Sequence, residues 1–445
     1  MADLPNAGAV PTATHVRDDR YAWFVTAALL LGYTFAFIDR QVLNLLVEPI
    51  RAAFALDDTR VSLLIGVAFV IPFALFAPIG GRLADTWHRR NLCVLVIGLW
   101  SLFTIGCGLA GSFWLLFLAR VGVGAAEACL MPSAWSLIAD YFSRERLPRA
   151  MSLFLLGPYL GGGLALMLGG TVINALAVDA PAIAGGLAPW RVTFIVAGLV
   201  GLVPLLTILL VVREPARAQD GASAAPGAAP PLREVAAFFL RERRFYGGFY
   251  GGISLQTITF YAFPAWIPTL LVRKFDVSLG AIGLQYGAVM LLAGCFGVLC
   301  APLMGRWLAA RGYPDYNLRI GMIACILLVP LCALLPFLQS YGAALSVCAL
   351  VTFTCSVPMP MAGSALQTVT PNRMRGVATS LYMLVVSLIG VAIPPTLIAL
   401  LTDHVFRDPA ALGTSLAIVC CASAAAAAFV LWRALVAYRS ALARL

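Results

Sequence analysis

Four charged residues lie inside long apolar stretches of this sequence, where charge is unusual. Asp39 and Arg40 are adjacent in the first stretch, and Arg120 and Glu127 lie seven residues apart in the fourth. Seven residues span about two turns of an α-helix, so Arg120 and Glu127 would share one helix face. Carboxylates and guanidiniums in such surroundings are suited to carrying a proton and binding an anion.

An ionisable side chain in a bilayer is costly unless it is paired or hydrated, so residues of this kind usually have a role. We predict that these four residues form a substrate and proton-coupling site. Glu127 is the first candidate for the proton carrier, exchanging arginine partners as the cavity reopens, and Asp39 is the second. Two simpler interpretations stay open. The first helix could end at Ile38, so that Asp39 and Arg40 only flank it, or Arg120 and Glu127 could form a fixed structural ion pair.

The helix rise gives the expected depth of each charge. Asp39 lies about 13 Å inside the predicted outer end of its helix at Glu48. Arg120 lies about 10 Å below the start of its helix at Phe113, and Glu127 is two turns deeper. We therefore expect Asp39 and Arg120 to share a layer, with Glu127 below them.

The composition is that of a membrane protein. Of the 445 residues, 61% are hydrophobic and 11% are charged, whereas about a quarter of the residues of a soluble domain are charged. The net charge of +10 comes from arginines clustered between apolar stretches, which indicates membrane orientation and no nucleic-acid partner. The 11 cysteines show no metal-binding spacing, so we expect neither a metal nor a disulfide.

The apolar stretches predict an all-α membrane protein with twelve transmembrane helices in two pseudo-symmetric six-helix bundles. A segment rich in Ala, Pro and Gly separates the sixth stretch from the seventh. The helices are predicted near 22–48, 59–83, 91–111, 113–139, 147–176, 189–212, 245–272, 279–305, 318–339, 341–367, 374–402 and 412–435.

This pattern divides the chain into two bundles with a linker and two tails. A short surface helix is predicted near Leu232 to Arg244, at the end of the linker. The predicted parts are a cytoplasmic N-terminal tail (1–21), an N-terminal bundle (22–212), a cytoplasmic linker (213–244), a C-terminal bundle (245–435) and a cytoplasmic C-terminal tail (436–445).

The distribution of basic residues predicts the orientation, because short cytoplasmic loops collect Arg and Lys. With the N-terminus inside, the external segments hold only six of the 30 basic residues. Both termini are therefore predicted to face the cytoplasm, across a bacterial-type inner membrane. The six external residues are Arg51, Arg60, Arg191, Arg273, Lys274 and Arg407.

A repeated motif follows the second and the eighth apolar stretches. GGRLADTWHRR begins at Gly80, and the shorter GRWLAARG begins at Gly305 with Ala309 at the acidic position. Twelve spans with this repeat resemble the major facilitator superfamily. The first copy fits the superfamily's signature except at Thr86, where a basic residue is usual, and at His88, where Gly is common. The resemblance implies a conformational latch between the two halves. In this latch Asp85 lies against the eleventh helix near Arg373 and Arg375, and Gly81 lets two helices approach closely. The latch residues are Gly81, Asp85, Arg89 and Arg90.

Two further stretches resemble Spinster-like transporters, namely FIDRQVLNLLVEPI from Phe37 and LARVGVGAAEACLMPSAWSLIADYF from Leu118. The resemblance implies that the four intramembrane charges lie in a central cavity. Animal members of that family are associated with export of sphingosine-1-phosphate or lysophospholipids. The stretch GPYLGGGLALMLGG resembles the Gly-Pro motif of antiporters in the superfamily, although helix packing alone explains it equally well; its residues include Gly157, Pro158, Gly161 and Gly162.

The second half has no charge within its predicted helices, only polar and aromatic groups. A cavity charged on one side only would suit a substrate with a charged head and an apolar body. Each of these residues could equally make a helix-packing hydrogen bond. The candidate lining residues are Gln256, Tyr261, Tyr286 and Tyr382.

We therefore predict a secondary active transporter that works by alternating access, is coupled to protons and moves an amphipathic lipid-like or organic-anion substrate. The alternatives are a proton-coupled symporter of a small organic anion such as a sugar acid, and a drug/proton antiporter. The three histidines fall in tails or loops and no phosphate-binding loop is present, so we expect neither an enzyme nor ATP-driven transport. We expect a monomer with no cofactor, energised by the proton gradient.

Overall fold

The computed structural model describes residues 20–143, 146–183, 186–215, 232–371 and 374–443. Within these ranges the chain forms helices and no strand, and twelve helices are long and apolar enough to cross a membrane. The predicted all-α class with twelve transmembrane helices is confirmed. We label them α1 Arg20–Leu45, α2 Asp58–Ala84, α3 Arg89–Leu109, α4 Phe113–Tyr141, α5 Arg149–Leu176, α6 Pro189–Val211, α7 Arg243–Phe275, α8 Leu279–Ala310, α9 Tyr316–Phe337, α10 Tyr341–Val369, α11 Val377–Phe406 and α12 Pro409–Leu442.

Helices satisfy their own backbone hydrogen bonds, which is why apolar segments of this length adopt them in lipid. Twelve spans return the chain to the side on which it started. We call the side of Arg20 and Leu442 the termini end, and the opposite side the far end. Polar side chains cap helices that begin at the far end: Asp57 accepts from the Arg60 amide of α2, and Ser278 accepts from the Ala281 amide of α8.

Two short helices lie between the spans. Val47–Phe54 follows α1 at the far end, after a break at Leu46. Leu232–Arg241 precedes α7 at the termini end, in the region where the sequence predicted a surface helix. Of the predicted N-terminal tail, residues 1–19 lie outside the described part of the chain.

The last helix is longer than predicted. It continues to Leu442, so most of the segment 436–445, predicted as a tail, is helical. The helix predicted from hydropathy ended too early because the segment that follows contains arginines. Its buried Tyr438 stacks on Phe245 with the ring centroids 5.5 Å apart, and Arg439 pairs with Asp315 at 2.7 Å. These contacts hold the extension against α7 and α9.

The apolar cores show how the N-terminal half (residues 20–215) and the C-terminal half (residues 232–443) meet. One buried cluster belongs almost entirely to the N-terminal half and includes Trp100. Another belongs to the C-terminal half and includes Leu431. The largest cluster contains residues of both halves near the far end, such as Leu46, Val61 and Trp266. The two halves are therefore packed together at the far end.

Small residues let α5 and α8 approach closely where the halves meet. A Cβ on Gly283 would lie 2.7 Å from the Cα of Gly170, and a Cβ on Gly163 would lie 2.7 Å from the Gly287 carbonyl oxygen. Neither separation is possible for a residue with a side chain. These glycines are therefore required by the close approach of the two helices.

α11 is irregular at two places. Residues Val386–Ala392 and Leu401–Phe406 are π-helical, and Pro394 and Pro395 lie between them. Prolines lack an amide hydrogen, and π-helical turns shift the register of the residues that follow. These irregularities set which α11 side chains face the N-terminal half.

Candidate transport site

Arg40 of α1 and Glu127 of α4 form an ion pair, with 2.7 Å between Nε and Oε2. The Glu127 side chain is fully buried, whereas 20% of the Arg40 side chain is exposed. The other oxygen of Glu127, Oε1, has no hydrogen-bond partner among the described residues. α1 continues to Leu45, so Asp39 and Arg40 lie within the helix and do not flank its end.

Arg120 is buried next to Asp39. Its Nη1 donates to the Asp39 carbonyl oxygen at 3.1 Å, and the Thr104 hydroxyl donates to the Asp39 carboxylate at 3.0 Å. The structure therefore brings Asp39 and Arg120 together. Within the described residues Arg120 makes no ion pair and its Nε has no partner. The possible fixed pair between Arg120 and Glu127 is not observed, because Glu127 pairs with Arg40.

The ring of Phe69, from α2, lies beside both arginines. Its centroid is 4.4 Å from the Arg40 guanidinium carbon and 5.6 Å from that of Arg120, so it interacts with both cations. Gly124 of α4 makes this position possible, because a Cβ there would clash with the Phe69 carbonyl oxygen. The rings of Phe37 and Phe73 also flank Arg40, at 4.7 and 5.0 Å.

A first cavity of about 470 Å³ opens beside the two arginines. Its polar wall includes Gln41, Asn44 and Tyr261, of which only Tyr261 was predicted to line it. Asn44 donates to Gln41, while its own Oδ1 has no partner among the described residues. Gln41 and Asn44 were not predicted from the sequence. Both are polar residues in the same apolar stretch as Arg40, and this position could have identified them.

A second cavity of about 500 Å³ adjoins the first, and Phe37 and Gln41 line both. Most of its wall comes from the C-terminal half, and Tyr286 lies in it as the sequence predicted. None of the described residues that line this cavity is charged. The two cavities together therefore place a charged chamber beside an uncharged one.

Two of the predicted lining residues face neither cavity. Gln256 donates to the Cys355 carbonyl oxygen at 3.2 Å, which joins α7 to α10. Tyr382 packs against Phe249, with the ring centroids 5.7 Å apart. The prediction that Gln256 and Tyr382 line the cavity is therefore wrong for these two cavities. Sequence position could not show which helix face is turned towards a neighbouring helix.

Ionic contacts between the two halves close the far end. Arg273, at the end of α7, donates to Glu48 at 2.6 Å and to both oxygens of Asp58 at 2.7 Å. Asp58 is fully buried at the start of α2. Arg51 lies near the same carboxylates, with 3.5 Å to Glu48 and 3.8 Å to Asp58. The sequence had marked these arginines only as residues of external loops.

α2 and α11 are also joined at the far end. The Asp403 carboxylate accepts from the Thr59 amide and hydroxyl, both at 2.7 Å, and so caps α2 from the opposite half. Ser62 and Thr396 form a hydrogen bond of 3.2 Å one turn closer to the first cavity. Residues of the same two helices line that cavity, so the far-end contacts are continuous with its wall.

Comparison with known proteins identifies the family. A sequence model of the Major Facilitator Superfamily matches residues 29–395. The chain belongs to this superfamily. Since the superfamily consists of transporters, the protein transports a small-molecule substrate across a membrane.

Among individual superfamily members, the protein is Spinster-like. It is 24% identical to "Protein spinster homolog 3" of Danio rerio, over 89% of this chain and 80% of that protein. It is 26% identical to an "MFS-type efflux pump" of Mycolicibacterium smegmatis, over 94% of both chains. A crystal structure of a bacterial homologue of the human lysosomal transporter Spinster, in an inward-facing and unoccupied conformation, has the same fold, with a TM-score of 0.77, 24% identity and coverage of 96% and 98%.

The arginines of the superfamily's signature motif make their contacts within the N-terminal half. Arg89 donates to Asp140 and, at 2.8 Å, to Glu214. The Arg90 amide donates to the other oxygen of Glu214 at 2.8 Å, and the Arg90 side chain donates to the Leu209 carbonyl oxygen. These contacts fasten α3 to α4 and to the end of α6.

The rest of the predicted latch has a mixed outcome. A Cβ on Gly81 would contact nothing, so the expected close approach at Gly81 is wrong. The neighbouring Gly80 has that role, because a Cβ there would lie 2.7 Å from the Cα of Cys129 in α4. Arg373 and the side chains of Asp85 and Arg375 lie outside what the structure describes, so the latch between the halves remains a prediction.

The Gly-Pro motif of this transporter lies where α5 packs against α1. A Cβ on Gly161 would clash with the Thr34 carbonyl oxygen, and one on Gly157 would lie 2.6 Å from the Tyr33 ring. Gly162 faces the other half, where a Cβ would meet only the end of Met290 at 3.3 Å. Pro158 lines the second cavity.

Proposed function

We propose that this transporter is a proton-coupled secondary carrier that moves an amphipathic organic anion, of a lipid-like kind, by alternating access. One observation carries the proposal: the buried cluster at the first cavity is only partly satisfied. Arg120 Nε and Glu127 Oε1 both lack partners among the described residues. Unpaired buried polar groups are energetically costly. Their presence in this cluster therefore indicates that a proton or a ligand supplies the missing partner.

The contacts suggest how a proton and an anion are linked. Glu127 is the only carboxylate that pairs with Arg40 among the described residues, and Arg40 is the exposed member of the pair. Protonation of Glu127 removes the negative charge facing Arg40, and Arg40 together with Arg120 is then free to bind an anion. Binding of the anion favours the protonated form of Glu127 in turn, because linkage is reciprocal. Under this scheme an anionic substrate and a proton cross the membrane together.

The adjoining cavities favour an amphiphile over a small hydrophilic acid. The first cavity offers guanidiniums for a charged head, and the second offers an uncharged, largely apolar wall for the remainder. The resemblance to Spinster-like transporters, whose animal members are associated with export of sphingosine-1-phosphate or lysophospholipids, supports a lipid-like substrate. A drug/proton antiporter is the second candidate, because one relative is named an efflux pump.

We further propose that the termini end faces the cytoplasm of a bacterial-type inner membrane, because that side carries most of the arginines in the sequence. We also propose that the protein works as a monomer. A proton gradient would supply the energy, with no bound cofactor.

Transport in proteoliposomes under an imposed pH gradient tests the proposal. The probes are fluorescently labelled lysophosphatidate, followed by albumin back-extraction, and radiolabelled gluconate as a small hydrophilic acid. We expect lysophosphatidate movement to follow the proton gradient and to become independent of it in Glu127→Gln. Glu242→Gln, which removes a carboxylate at the end of the linker, is the matched control. Gluconate transport alone, or unchanged proton coupling in Glu127→Gln, would contradict the proposal.

A further inference from the structure

Two hydroxyl groups in the wall of the second cavity have no partner. Tyr286 of α8 and Thr259 of α7 are both fully buried, and both line the cavity. Among the described residues neither hydroxyl makes a hydrogen bond. By contrast, the hydroxyl of Ser356, in the same wall, donates to the Thr352 carbonyl oxygen at 2.7 Å. The cavity therefore contains two hydroxyl donors that are not used by the protein itself.

Leaving a buried hydroxyl without a partner is unfavourable, whereas phenylalanine and valine would fill the same space without this cost. A ligand that brings a hydrogen-bond acceptor to the hydroxyls of Tyr286 and Thr259 would remove this cost. The described wall around them is uncharged and mostly apolar, with contributions from Phe260, Phe263 and Met290. A charged group would lose its hydration there without gaining an opposite charge. The matching ligand portion is neutral and mostly apolar, and it carries a hydrogen-bond acceptor.

The position of this cavity shows which part of a substrate reaches it. Phe37 and Gln41 line both cavities, so the second cavity begins where the charged one ends. An amphiphile with its anionic head at Arg40 and Arg120 would place the adjoining part of its body in the second cavity.

We infer that the second cavity binds the neutral part of the substrate and selects amphiphiles that carry an ester, ether or hydroxyl oxygen near the head. Tyr286 and Thr259 are the residues that determine this specificity, by donating hydrogen bonds to that oxygen. This inference rests on the proposed function, since it assumes an amphiphilic anion whose head lies at the arginines. It adds that a plain alkyl anion is a poorer substrate than an oxygenated one.

Calorimetric titration of the full-length protein in nanodiscs tests this selectivity, with empty nanodiscs as the blank. The two probes are 1-palmitoyl lysophosphatidate and hexadecyl phosphate, which have similar chains and the same phosphate head but differ in oxygens near the head. We expect the wild type to bind lysophosphatidate more tightly. Tyr286→Phe should weaken that binding about fivefold, the effect of one lost hydrogen bond, and leave hexadecyl phosphate unchanged. Thr259→Val provides a second, independent removal of a hydroxyl.

Tyr341→Phe is the matched control. Its hydroxyl also lacks a partner among the described residues, but it lines neither cavity. Equal affinity of the wild type for the two phosphates, or equal weakening of both in Tyr286→Phe and Thr259→Val, would overturn the inference while leaving the proposed function intact. If neither phosphate binds the wild type, the proposed amphiphilic substrate itself is wrong, and the inference falls with it.

Discussion

Arg40 and Glu127 are 87 residues apart in sequence, yet their charged groups meet at 2.7 Å between α1 and α4. The pair is asymmetric, because Glu127 is fully buried while Arg40 reaches the first cavity. A substrate anion entering the cavity therefore meets Arg40 before Glu127. In the proposed scheme, protonation of Glu127 releases Arg40 from its ion pair, and the anion then binds Arg40.

Removing Arg40 should destabilise the protein in a way that depends on Glu127. Arg40→Ala leaves the Glu127 carboxylate buried without its cation, and breaking a buried ion pair in this way costs about 3–5 kcal/mol. We expect a lower apparent Tm in a thiol-reactive dye assay, and recovery of most of it in Arg40→Ala/Glu127→Gln. Arg60→Ala, at an exposed position, should have little effect. A double variant no more stable than Arg40→Ala would contradict this account.

The helices were predictable because lipid imposes one rule along the whole chain. A run of about 20 apolar residues must be helical to satisfy its backbone, so hydropathy alone located twelve spans. Errors arose at the ends, where charged residues continue a helix beyond the apolar run. The extension of α12 to Leu442, which carries Arg439, is one case. The break in α1 at Leu46 is the opposite case, because the helix ends before the predicted boundary at residue 48.

The four intramembrane charges could be selected from sequence, but their pairing could not. Charge in a lipid-facing segment is rare enough to stand out, whereas the choice of partner depends on helix rotation and on what lies between the helices. Phe69 lies beside both arginines because Gly124 lets α2 approach α4. The pairing of Glu127 with Arg40 is therefore a property of three helices together.

The contacts at the far end were not predicted for the same reason. Glu48, Asp58 and Arg273 lie in loops or helix ends of two different halves, and no periodicity links them. The Thr59 amide donates to Asp403, which lies in the second π-helical segment of α11, and sequence patterns do not reveal that segment.

Adjacent glycines in α5 should differ sharply in their tolerance of alanine. In Gly161→Ala the new methyl group would clash with the Thr34 backbone carbonyl oxygen, so α1 and α5 must separate. In Gly162→Ala it would lie 3.3 Å from the flexible end of Met290, which can move. We expect Gly161→Ala to lower Tm by several degrees and to reduce transport, and Gly162→Ala to change both little. Similar behaviour of the two variants would show that packing of α1 on α5 is not the constraint.

Asp315 should stabilise the termini end in a pH-dependent manner. Burial alone would raise the pKa of this carboxyl, but hydrogen bonds from Arg319 and Arg439 hold the pKa below its usual value. A depressed pKa contributes stability above the unfolded value near 3.9, and this is lost as the pH falls through the folded pKa. Asp315→Asn should therefore lower Tm at pH 7 by about 1 °C per kcal/mol lost, because the entropy of unfolding grows with chain length. The difference from wild type should persist down to about pH 5 and shrink only below pH 4.

Asp276→Asn, at the end of another helix in the same half, is the control for the loss of a carboxylate. It should leave Tm unchanged at both pH values. If the Tm difference of Asp315→Asn already shrinks between pH 7 and pH 5, the carboxyl does not have the depressed pKa that its arginine partners produce.

Arg273 should control how often the far end opens. Its bonds to Glu48 and Asp58 cross from one half to the other, and hydrogen bonds to charged groups contribute about 1.5–3 kcal/mol each. Arg273→Ala should therefore increase the open population at least tenfold. Hydrogen–deuterium exchange measures this opening, because the Thr59 amide is protected by Asp403 of the other half. Exchange should become faster in peptides covering residues 47–62 and 396–406.

Lys274→Ala is a closely matched control, because Lys274 is the next residue and also basic. Its ammonium binds the carbonyl oxygens of Leu335 and Pro336, which lie within its own half. Losing it removes a positive charge from the same helix end without breaking a contact between the halves. Exchange at 47–62 should therefore stay at the wild-type rate in Lys274→Ala. If both variants accelerate exchange equally, the far end is held by general electrostatics and not by the bonds of Arg273.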